Sequence, residues 1–267
     1  MHLGINGRVA FVMGGSRGIG RAISLELAEA GCKVAVVARG AEAVDETVQS
    51  IVSANGEAFG ICADLSELGA FDLVIEQVGS RFGPPDIAIF NPPTPEPGSF
   101  LELTESDFAS SFNNLVLCFA RLVRLVAPSM QERAWGRIVT IGAACAKQPM
   151  RGQLNFSYAM ANTMRLAAVS LSKTISFELA PSGITVNTIA TGAIRTDMAM
   201  SFFASRAREA GLSVEAFMGA MIDQIPARRI GATAEMAKLC AYLCSNHAGY
   251  TTGETILCDG GLTNCAA

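Results

Sequence analysis

The sequence predicts an α/β fold: a single doubly wound domain in which helices cover both faces of a parallel seven-stranded sheet. Short apolar segments rich in β-branched residues, such as 33–38 and 185–189, alternate with segments of helical periodicity along the chain. The short segments are apolar throughout rather than at every second position, as in strands that are buried on both faces. Strands that alternate with helices join through right-handed crossovers into a parallel sheet.

The composition favours one large domain and argues against several classes of partner. The chain has 267 residues, of which 50% are hydrophobic and 16% are charged, and no linker, repeat or low-complexity segment divides it. No apolar run approaches the ~20 residues of a membrane helix, and no signal-type segment opens the chain. The net charge of −4 disfavours a nucleic-acid surface. We expect a cytoplasmic protein with no membrane or nucleic-acid partner, and the apolar excess favours an oligomer.

Four strands and three helices are predicted in the first part of the chain. The strand at 8–13 leads through a glycine-rich loop into a helix that ends at Ala30, because Gly31 suits the position just after a helix. Gly56 ends the next helix. The other elements predicted here are strands 33–38, 58–62 and 86–90 and helices 42–55 and 68–82.

The second part of the chain continues the alternation. A proline-rich loop at 92–97 follows the fourth strand, at the sheet edge where such folds bind ligands. Thr104 and Asp107 have the spacing of a capping box, which predicts the start of a helix over 104–131. The other elements predicted here are strands 137–141, 185–189 and 256–258 and helices 158–179, 213–222 and 234–245.

The cysteines and histidines indicate neither a disulfide framework nor a metal site. Most of the 8 cysteines lie inside apolar runs, no Cys-x-x-Cys occurs, and the chain has 2 histidines. We expect free, buried thiols of a reducing compartment and no bound metal.

A glycine-rich loop carries the strongest chemical signal. The pattern Gly14-x-x-x-Gly18-x-Gly20 follows the first strand and opens a helix. Gly14 permits a sharp turn, while Gly18 and Gly20 let the backbone approach a pyrophosphate that the helix N-terminus attracts. The loop predicts a dinucleotide site of the Rossmann type. Its predicted cofactor-binding residues are Gly14, Ser16, Arg17, Gly18, Ile19 and Gly20.

The end of the second strand favours NADP(H) over NAD(H). Enzymes that use NAD place an acidic residue there to bind the ribose 2′-hydroxyl, but this chain has Ala38 followed by Arg39. The guanidinium groups of Arg39 and Arg17 suit a 2′-phosphate, which accepts forked, charge-assisted hydrogen bonds.

The glycine spacing and the order of the elements resemble the short-chain dehydrogenase/reductase family over nearly the whole chain, from Gly7 to Gly261. The segment Ile225–Gly231, followed by Thr233-Ala234-Glu235, is most similar to the branch of 3-oxoacyl-carrier-protein reductases. Further matching segments are Ala63-Asp64-Leu65, Asn91, Gly136-Arg137-Ile138-Val139, Leu179–Asn187, Gly192–Thr196 and Asp259-Gly260-Gly261.

The resemblance implies roles in cofactor binding and assembly. Asp64 and Leu65 would flank the adenine, with Asp64 accepting from its amino group, and Asn91 would lie beside the adenosine ribose. Ile194 and Thr196 would hold the nicotinamide carboxamide. The resemblance also implies a homotetramer, with a homodimer as the alternative, built on helices 104–131 and 158–179 and on the last strand.

The catalytic positions depart from the family pattern. The family uses a Ser that polarises the carbonyl, a Tyr that transfers the proton, a Lys that lowers the pKa of that Tyr and binds the ribose, and a supporting Asn. An alignment without gaps places Ala143, Ala161, Arg165 and Leu115 at these positions. None of the four expected side chains is retained.

Tyr158, Asn162 and Arg165 are the predicted catalytic residues. They fall at i, i+4 and i+7 on one helix face, and we expect Arg165 both to hold the cofactor ribose and to stabilise a Tyr158 tyrosinate. An alternative alignment makes Tyr158-x-x-x-Asn162 the motif but requires a three-residue insertion. Tyr158 has a structural alternative, packing on the proline-rich loop.

The function predicted from the sequence is an NADP(H)-dependent oxidoreductase with a non-standard proton donor. Its substrate is a small apolar ketone or alcohol, resembling a polyketide or an acyl chain, under a lid at 193–230 that is rich in Met and Phe. Two alternatives stay open: a dinucleotide-binding sensor or partner subunit without redox activity, and a lyase or isomerase that reuses the fold.

Overall fold

The predicted fold class is confirmed by a computed structural model, which describes residues 2–95, 97–151 and 158–265. Seven parallel strands form one sheet in the order β3-β2-β1-β4-β5-β6-β9. The strands are β1 (Val9–Met13), β2 (Lys33–Ala38), β3 (Glu57–Cys62), β4 (Ile87–Phe90), β5 (Gly136–Ala143), β6 (Ile184–Thr191), β7 (Ile194–Arg195), β8 (Gly231–Ala232) and β9 (Thr255–Cys258). The pair β7–β8, which the sequence did not predict, forms a separate two-stranded sheet.

The helices agree with the predicted ones to within a few residues, with two exceptions. Helix α7 (Asp197–Glu209) was predicted only as part of the lid at 193–230, without bounds of its own. The predicted helix 104–131 is interrupted by a π-helical turn at Asn113–Leu117. The turn brings Asn113 against the loop after β3, where its Nδ2 donates to the Ser66 carbonyl at 2.8 Å. The helices are α1 (Gly18–Glu29), α2 (Ala41–Ser53), α3 (Ala70–Phe82), α4 (Glu105–Phe112), α5 (Cys118–Glu132), α6 (Ala159–Leu179), α7 (Asp197–Glu209), α8 (Val214–Ile222) and α9 (Thr233–Cys244).

The core lies on both faces of the sheet. Along β1, Ala10 and Val12 pack into one apolar cluster with α1 and α9, while Phe11 and Met13 pack into a second cluster with α3 and α5. The central strands are therefore buried on both faces, as predicted. The edge strand β3 is different, because most of its residues are half-buried or exposed.

One described helical segment, Glu105–Glu132, is long and apolar enough to cross a membrane by length and composition, contrary to the sequence-based expectation. Its Phe119 and Leu122 are fully buried in the cluster beneath the sheet. Arg121, in the middle of the segment, pairs with Asp72 of α3. We therefore interpret the segment as a core helix.

The cysteines are free, as predicted, but they are not all buried. Among the described residues, Cys62 is exposed at the end of β3, and Cys258 and Cys265 are half-buried. The described part of the chain has no cluster of three or more His, Cys, Asp or Glu side chains that would hold a metal.

Asp86 ties three elements together at the amino end of the sheet. Its carboxylate accepts from the Val9 backbone N–H at 3.0 Å and from Arg8 and Arg133, each at 3.2 Å. The Asp86 side chain is 11% exposed, so these charge-assisted bonds are largely shielded from water. The carboxylate thereby fixes the starts of β1 and β4 to the chain just after α5.

We expect Asp86→Asn to lower the free energy of unfolding by ~2–4 kcal/mol, because it removes the charge that two arginines share in a mostly buried setting. Urea unfolding followed by circular dichroism measures the change. The matched control is Glu57→Gln, which breaks the exposed ion pair with Lys33 and should cost at most ~1 kcal/mol. Equal losses of unfolding free energy in the two variants would contradict the role assigned to Asp86.

Candidate cofactor and active site

The backbone of the glycine loop adopts a conformation and a close packing that leave no room for side chains. Gly14 and Gly18 adopt φ values of 64° and 52°, in the left-handed region that favours glycine. A Cβ at Gly20 would overlap the Gly14 carbonyl oxygen. The first turn of α1 therefore lies directly against the loop, and its N–H groups face the end of β1.

Two residues that are distant in sequence meet this loop. Asn91, directly after β4, donates from Nδ2 to the Gly14 carbonyl at 3.4 Å. A Cβ at Gly18 would lie 3.1 Å from Cγ2 of Thr196, whose Oγ1 caps α7 by accepting from the Ala199 N–H at 3.1 Å. The structure thus brings the loop together with Asn91 and Thr196. Ile194 is buried in β7, two residues before Thr196.

The predicted phosphate-binding cations are available at the neighbouring strand ends. Arg17, at the N-cap of α1, and Arg39, just after β2, are exposed, and neither pairs with a carboxylate of the described residues. Two exposed guanidinium groups that form no salt bridge within the described residues are suited to an anionic ligand.

The loop after β3 is ordered by its own hydrogen bonds. The backbone N–H of Ser66 donates to Asp64 at 2.9 Å, and this bond, with the Ser66 hydroxyl and the charge of Arg39, holds the pKa of Asp64 below its usual value. Leu65 is buried beneath it. On the other side of the crevice, the buried Ser16 accepts at its carbonyl from the Thr47 hydroxyl at 3.1 Å.

Arg165 is a buried cation without a counter-ion in the described part of the chain. It is 7% exposed and donates from Nη1 to the Ile141 carbonyl at 2.9 Å, but its buried Nε has no hydrogen-bond partner. Burial lowers the pKa of Arg165 to about 10, against the opposing effect of Cys145. A buried polar atom without a partner calls for an explanation, and a bound ligand that supplies an acceptor is one.

The side-chain amide of Asn162 forms two hydrogen bonds with the backbone of one residue. Its Oδ1 accepts from the Met150 backbone N–H at 3.1 Å, and its Nδ2 donates to the Met150 carbonyl at 3.0 Å. These contacts fasten the chain after β5 to α6. The arrangement suits a positioning residue better than a proton carrier.

Tyr158 lies immediately before α6, where its carbonyl accepts from the Asn162 N–H at 2.7 Å. Burial raises the pKa of Tyr158, and Cys145 raises it further. The phenol is therefore held in its protonated form at neutral pH. Arg165 is not among the causes of this shift, so the stabilisation of a tyrosinate by Arg165 stays a prediction.

Cys145 is a neighbour of Tyr158 and Arg165 that the sequence analysis did not single out. It is 3% exposed, lies in the 3₁₀ turn Ala144–Ala146 after β5, and interacts electrostatically with both Tyr158 and Arg165. Burial raises the pKa of its thiol. The one available signal was its position, two residues after Ala143, which is matched to the family's Ser.

Apolar groups surround the rest of this region. Leu115, matched to the family's Asn, is 1% exposed and packs with Met160 and Met164 of α6. In the predicted lid, Phe203 of α7 lies 6.4 Å from Phe217 of α8 between ring centroids. The lid helices follow β7, so they begin beside the glycine loop.

Comparisons with known proteins agree with this arrangement. A family model described as enoyl-(acyl carrier protein) reductase matches residues 14–263. The 3-oxoacyl-[acyl-carrier-protein] reductase FabG of Escherichia coli (strain K12) is 32% identical over 263 residues, which cover 97% of this chain and 99% of that protein. The NADPH-dependent reductase BacG of Bacillus subtilis (strain 168) is 31% identical over 256 residues, 95% of this chain and 97% of that protein.

A solved structure is similar over almost the full length. L-sorbose reductase from Gluconobacter frateurii, in complex with NADPH and L-sorbose, superposes with a TM-score of 0.93 at 28% identity and covers 99% of this chain and 100% of that one. The chain belongs to the short-chain dehydrogenase/reductase family, in its FabG-like branch, and is a short-chain oxidoreductase. The expected preference for NADP(H) agrees with the NADPH named for these relatives.

We expect Gly20→Ala to weaken NADPH binding about 10- to 100-fold, because the new methyl group forces the loop away from α1. Titration of NADPH fluorescence measures the change. Gly79→Ala in α3 is the matched control, since a Cβ there has nothing within 4 Å and binding should stay unchanged. Wild-type affinity in Gly20→Ala would contradict the assigned role of the loop.

Proposed function

We propose that this protein is an NADP(H)-dependent reductase of an apolar ketone, in which Tyr158 donates the proton. One observation carries the proposal: a glycine cradle fit for a dinucleotide adjoins the carboxyl ends of β4 and β5, where Tyr158 is half-buried and Arg165 is buried with its Nε unpaired. In open α/β sheets this edge is where ligands bind.

The residues present fit the cofactor along its whole length. Arg17 and Arg39 would bind the 2′-phosphate, and Asp64 and Leu65 would flank the adenine. Asn91 would lie beside the adenosine ribose, while Ile194 and Thr196 would hold the nicotinamide carboxamide. Arg165 would hold the nicotinamide ribose, which supplies acceptors for its unpaired Nε. When bound, the cofactor supplies the hydride.

The state of Tyr158 favours reduction. A ketone that gains a hydride needs a proton at its oxygen, and a phenol with a raised pKa carries that proton throughout the neutral range. Asn162 acts in this proposal by positioning, since it anchors the chain that borders the substrate to α6 at Met150. Donation leaves the phenol ionised, so it regains a proton from solvent before the next turnover, whereas the reverse oxidation would have to start from that ionised form.

An apolar surrounding supports an apolar substrate. Leu115, Met160 and Met164 form one small cluster near the site, and the lid carries Phe203 and Phe217. Such side chains provide contact area without fixed hydrogen-bond requirements, which suits an acyl or polyketide-like ketone. L-sorbose, the sugar named for the solved relative, would leave its hydroxyl groups without partners there.

We also propose a cytoplasmic homotetramer, or a homodimer, assembled through α4, α5 and α6. Leu117, Leu166 and Phe177 are large apolar side chains that are 40%, 54% and 66% exposed on this part of the chain. Side chains of this kind commonly mark subunit contacts. The mass in solution, measured by light scattering, tests this assembly.

A second candidate is a dinucleotide-binding protein without turnover. The observation that favours it is the loss of both hydroxyl groups at the positions matched to the family's Ser and Tyr, Ala143 and Ala161. NADPH titration followed by a ketone panel, from long-chain 3-oxoacyl thioesters to L-sorbose, separates the candidates. NADPH binding without reduction of any ketone would overturn the proposed function.

We expect Tyr158→Phe to lower kcat for ketone reduction about 10²- to 10⁴-fold, the usual contribution of a positioned acid. NADPH affinity should stay the same, because the hydroxyl serves the substrate. Steady-state kinetics and NADPH titration measure both quantities. Tyr250→Phe, which changes a fully exposed tyrosine, is the matched control.

The pH dependence of ketone reduction is a second test of Tyr158 as the proton donor. The donor acts in its protonated form, and its pKa is raised, so reduction should stay level from neutral into mildly alkaline pH and fall only above the ordinary tyrosine range. Unchanged kcat in Tyr158→Phe would remove Tyr158 as the donor.

We expect Arg39→Ala to weaken NADPH binding about 10- to 100-fold and to leave NADH binding nearly unchanged, because only NADPH carries the 2′-phosphate. Parallel fluorescence titrations with the two cofactors measure the difference. Arg124→Ala, an exposed arginine on α5, is the control and should alter neither affinity. An equal loss for both cofactors would contradict the 2′-phosphate assignment.

A further inference from the structure

The C-terminal segment Asp259–Cys265 leaves β9 in a turn that its first residue organises. The Asp259 carboxylate accepts from the Gly261 backbone N–H at 2.9 Å and from both the N–H and the hydroxyl of Thr263, each at 2.9 Å. Three bonds to one carboxylate fix the direction in which the segment leaves the sheet.

The far end of the segment is fastened to the chain that follows β5. Oε1 of Gln148 accepts from the Asn264 backbone N–H at 2.5 Å. Gln148 belongs to Lys147–Met150, which we term the site loop. Asn162 holds the same loop from the other side, at Met150. The site loop is thus fixed between α6 and the C-terminal segment.

The base of the segment also borders the nicotinamide end of the cofactor crevice. A Cβ at Gly192 would lie 2.6 Å from Cα of Asp259, and the Gly192 N–H donates to the Cys258 carbonyl at 3.0 Å. Gly192 precedes β7, which carries Ile194. The segment therefore runs from the turn before Ile194 to the site loop, across the carboxyl edge of β5 and β6.

We propose that the C-terminal segment is a strap that positions the site loop and forms one wall of the substrate site, with Gln148 and Asp259 as its positioning residues. The site loop follows the position matched to the family's Ser, so its displacement moves the substrate rather than the adenine or phosphate end of the cofactor. The claim that the strap forms a wall of the substrate site rests on the proposed function. The claim that the strap positions the site loop does not depend on that function.

The test compares substitutions at the two ends of the strap. Gln148→Met removes the acceptor at similar side-chain length, Gln148→Glu retains it, and Asp259→Ala removes the turn. Gln49→Met, on the exposed face of α2, is the matched control. Hydrogen exchange of peptides covering 147–151 and 259–265, NADPH affinity, and kcat and KM for a ketone reduced by the wild type are the readouts.

We expect Gln148→Met to speed exchange in both segments and to raise KM about threefold to tenfold, because the ordered site is populated less. NADPH affinity should stay within about twofold of the wild type, since the strap does not carry the phosphate contacts. Gln148→Glu should restore wild-type values. Combining Gln148→Met with Asp259→Ala should add little to the larger single effect, because both release one strap.

Two results would overturn the inference: unchanged exchange of the site loop in Gln148→Met and Asp259→Ala, or faster exchange with unchanged KM. A wild-type protein that binds NADPH and reduces no ketone would instead overturn the proposed function. Hydrogen exchange of the site loop would then still test whether the strap positions that loop. Faster exchange in the two variants would support this positioning, and unchanged exchange would reject it.

Discussion

The close approach of the Gly20 backbone to the Gly14 carbonyl is the constraint on which the cofactor site depends. It brings the first turn of α1 against the end of β1, so that free N–H groups point into the crevice between β1 and β4. Asn91 closes the crevice from the β4 side by binding the same carbonyl. Any side chain at Gly20 separates these parts, whatever the rest of the sheet does.

Much of the fold and of the cofactor site could be predicted from the sequence, because both depend on local signals. Continuous apolar runs marked the central strands, and glycines marked the ends of α1 and α2. The capping box at Thr104 and Asp107 is present in the structure, with both reciprocal hydrogen bonds. The interruption at Asn113–Leu117 was not predictable, since no local pattern distinguishes a π turn from an apolar helix, and the contact of Asn113 with Ser66 spans 47 positions.

The catalytic region was harder to predict, because burial rather than spacing determines its chemistry. The helical spacing of Tyr158, Asn162 and Arg165 suggested that cation and phenol act as a pair. Their environments differ, however: Asn162 is engaged by Met150, and Arg165 is directed to the Ile141 carbonyl. Cys145 affects the pKa of both Tyr158 and Arg165 from another element, the 3₁₀ turn after β5, and this relation depends on the packing of that turn on α6.

Burial also affects Arg165, which stands at the position matched to the family's Lys. Desolvation lowers the pKa of Arg165 to about 10, which still leaves the side chain charged at neutral pH. An equal penalty would bring the pKa of a lysine, ordinarily about 10.4, closer to neutral pH, so a guanidinium group keeps the larger margin of charge. A guanidinium group also retains several donors after giving one to the Ile141 carbonyl. The position matched to the family's Lys is thus occupied by a side chain that stays cationic despite its burial.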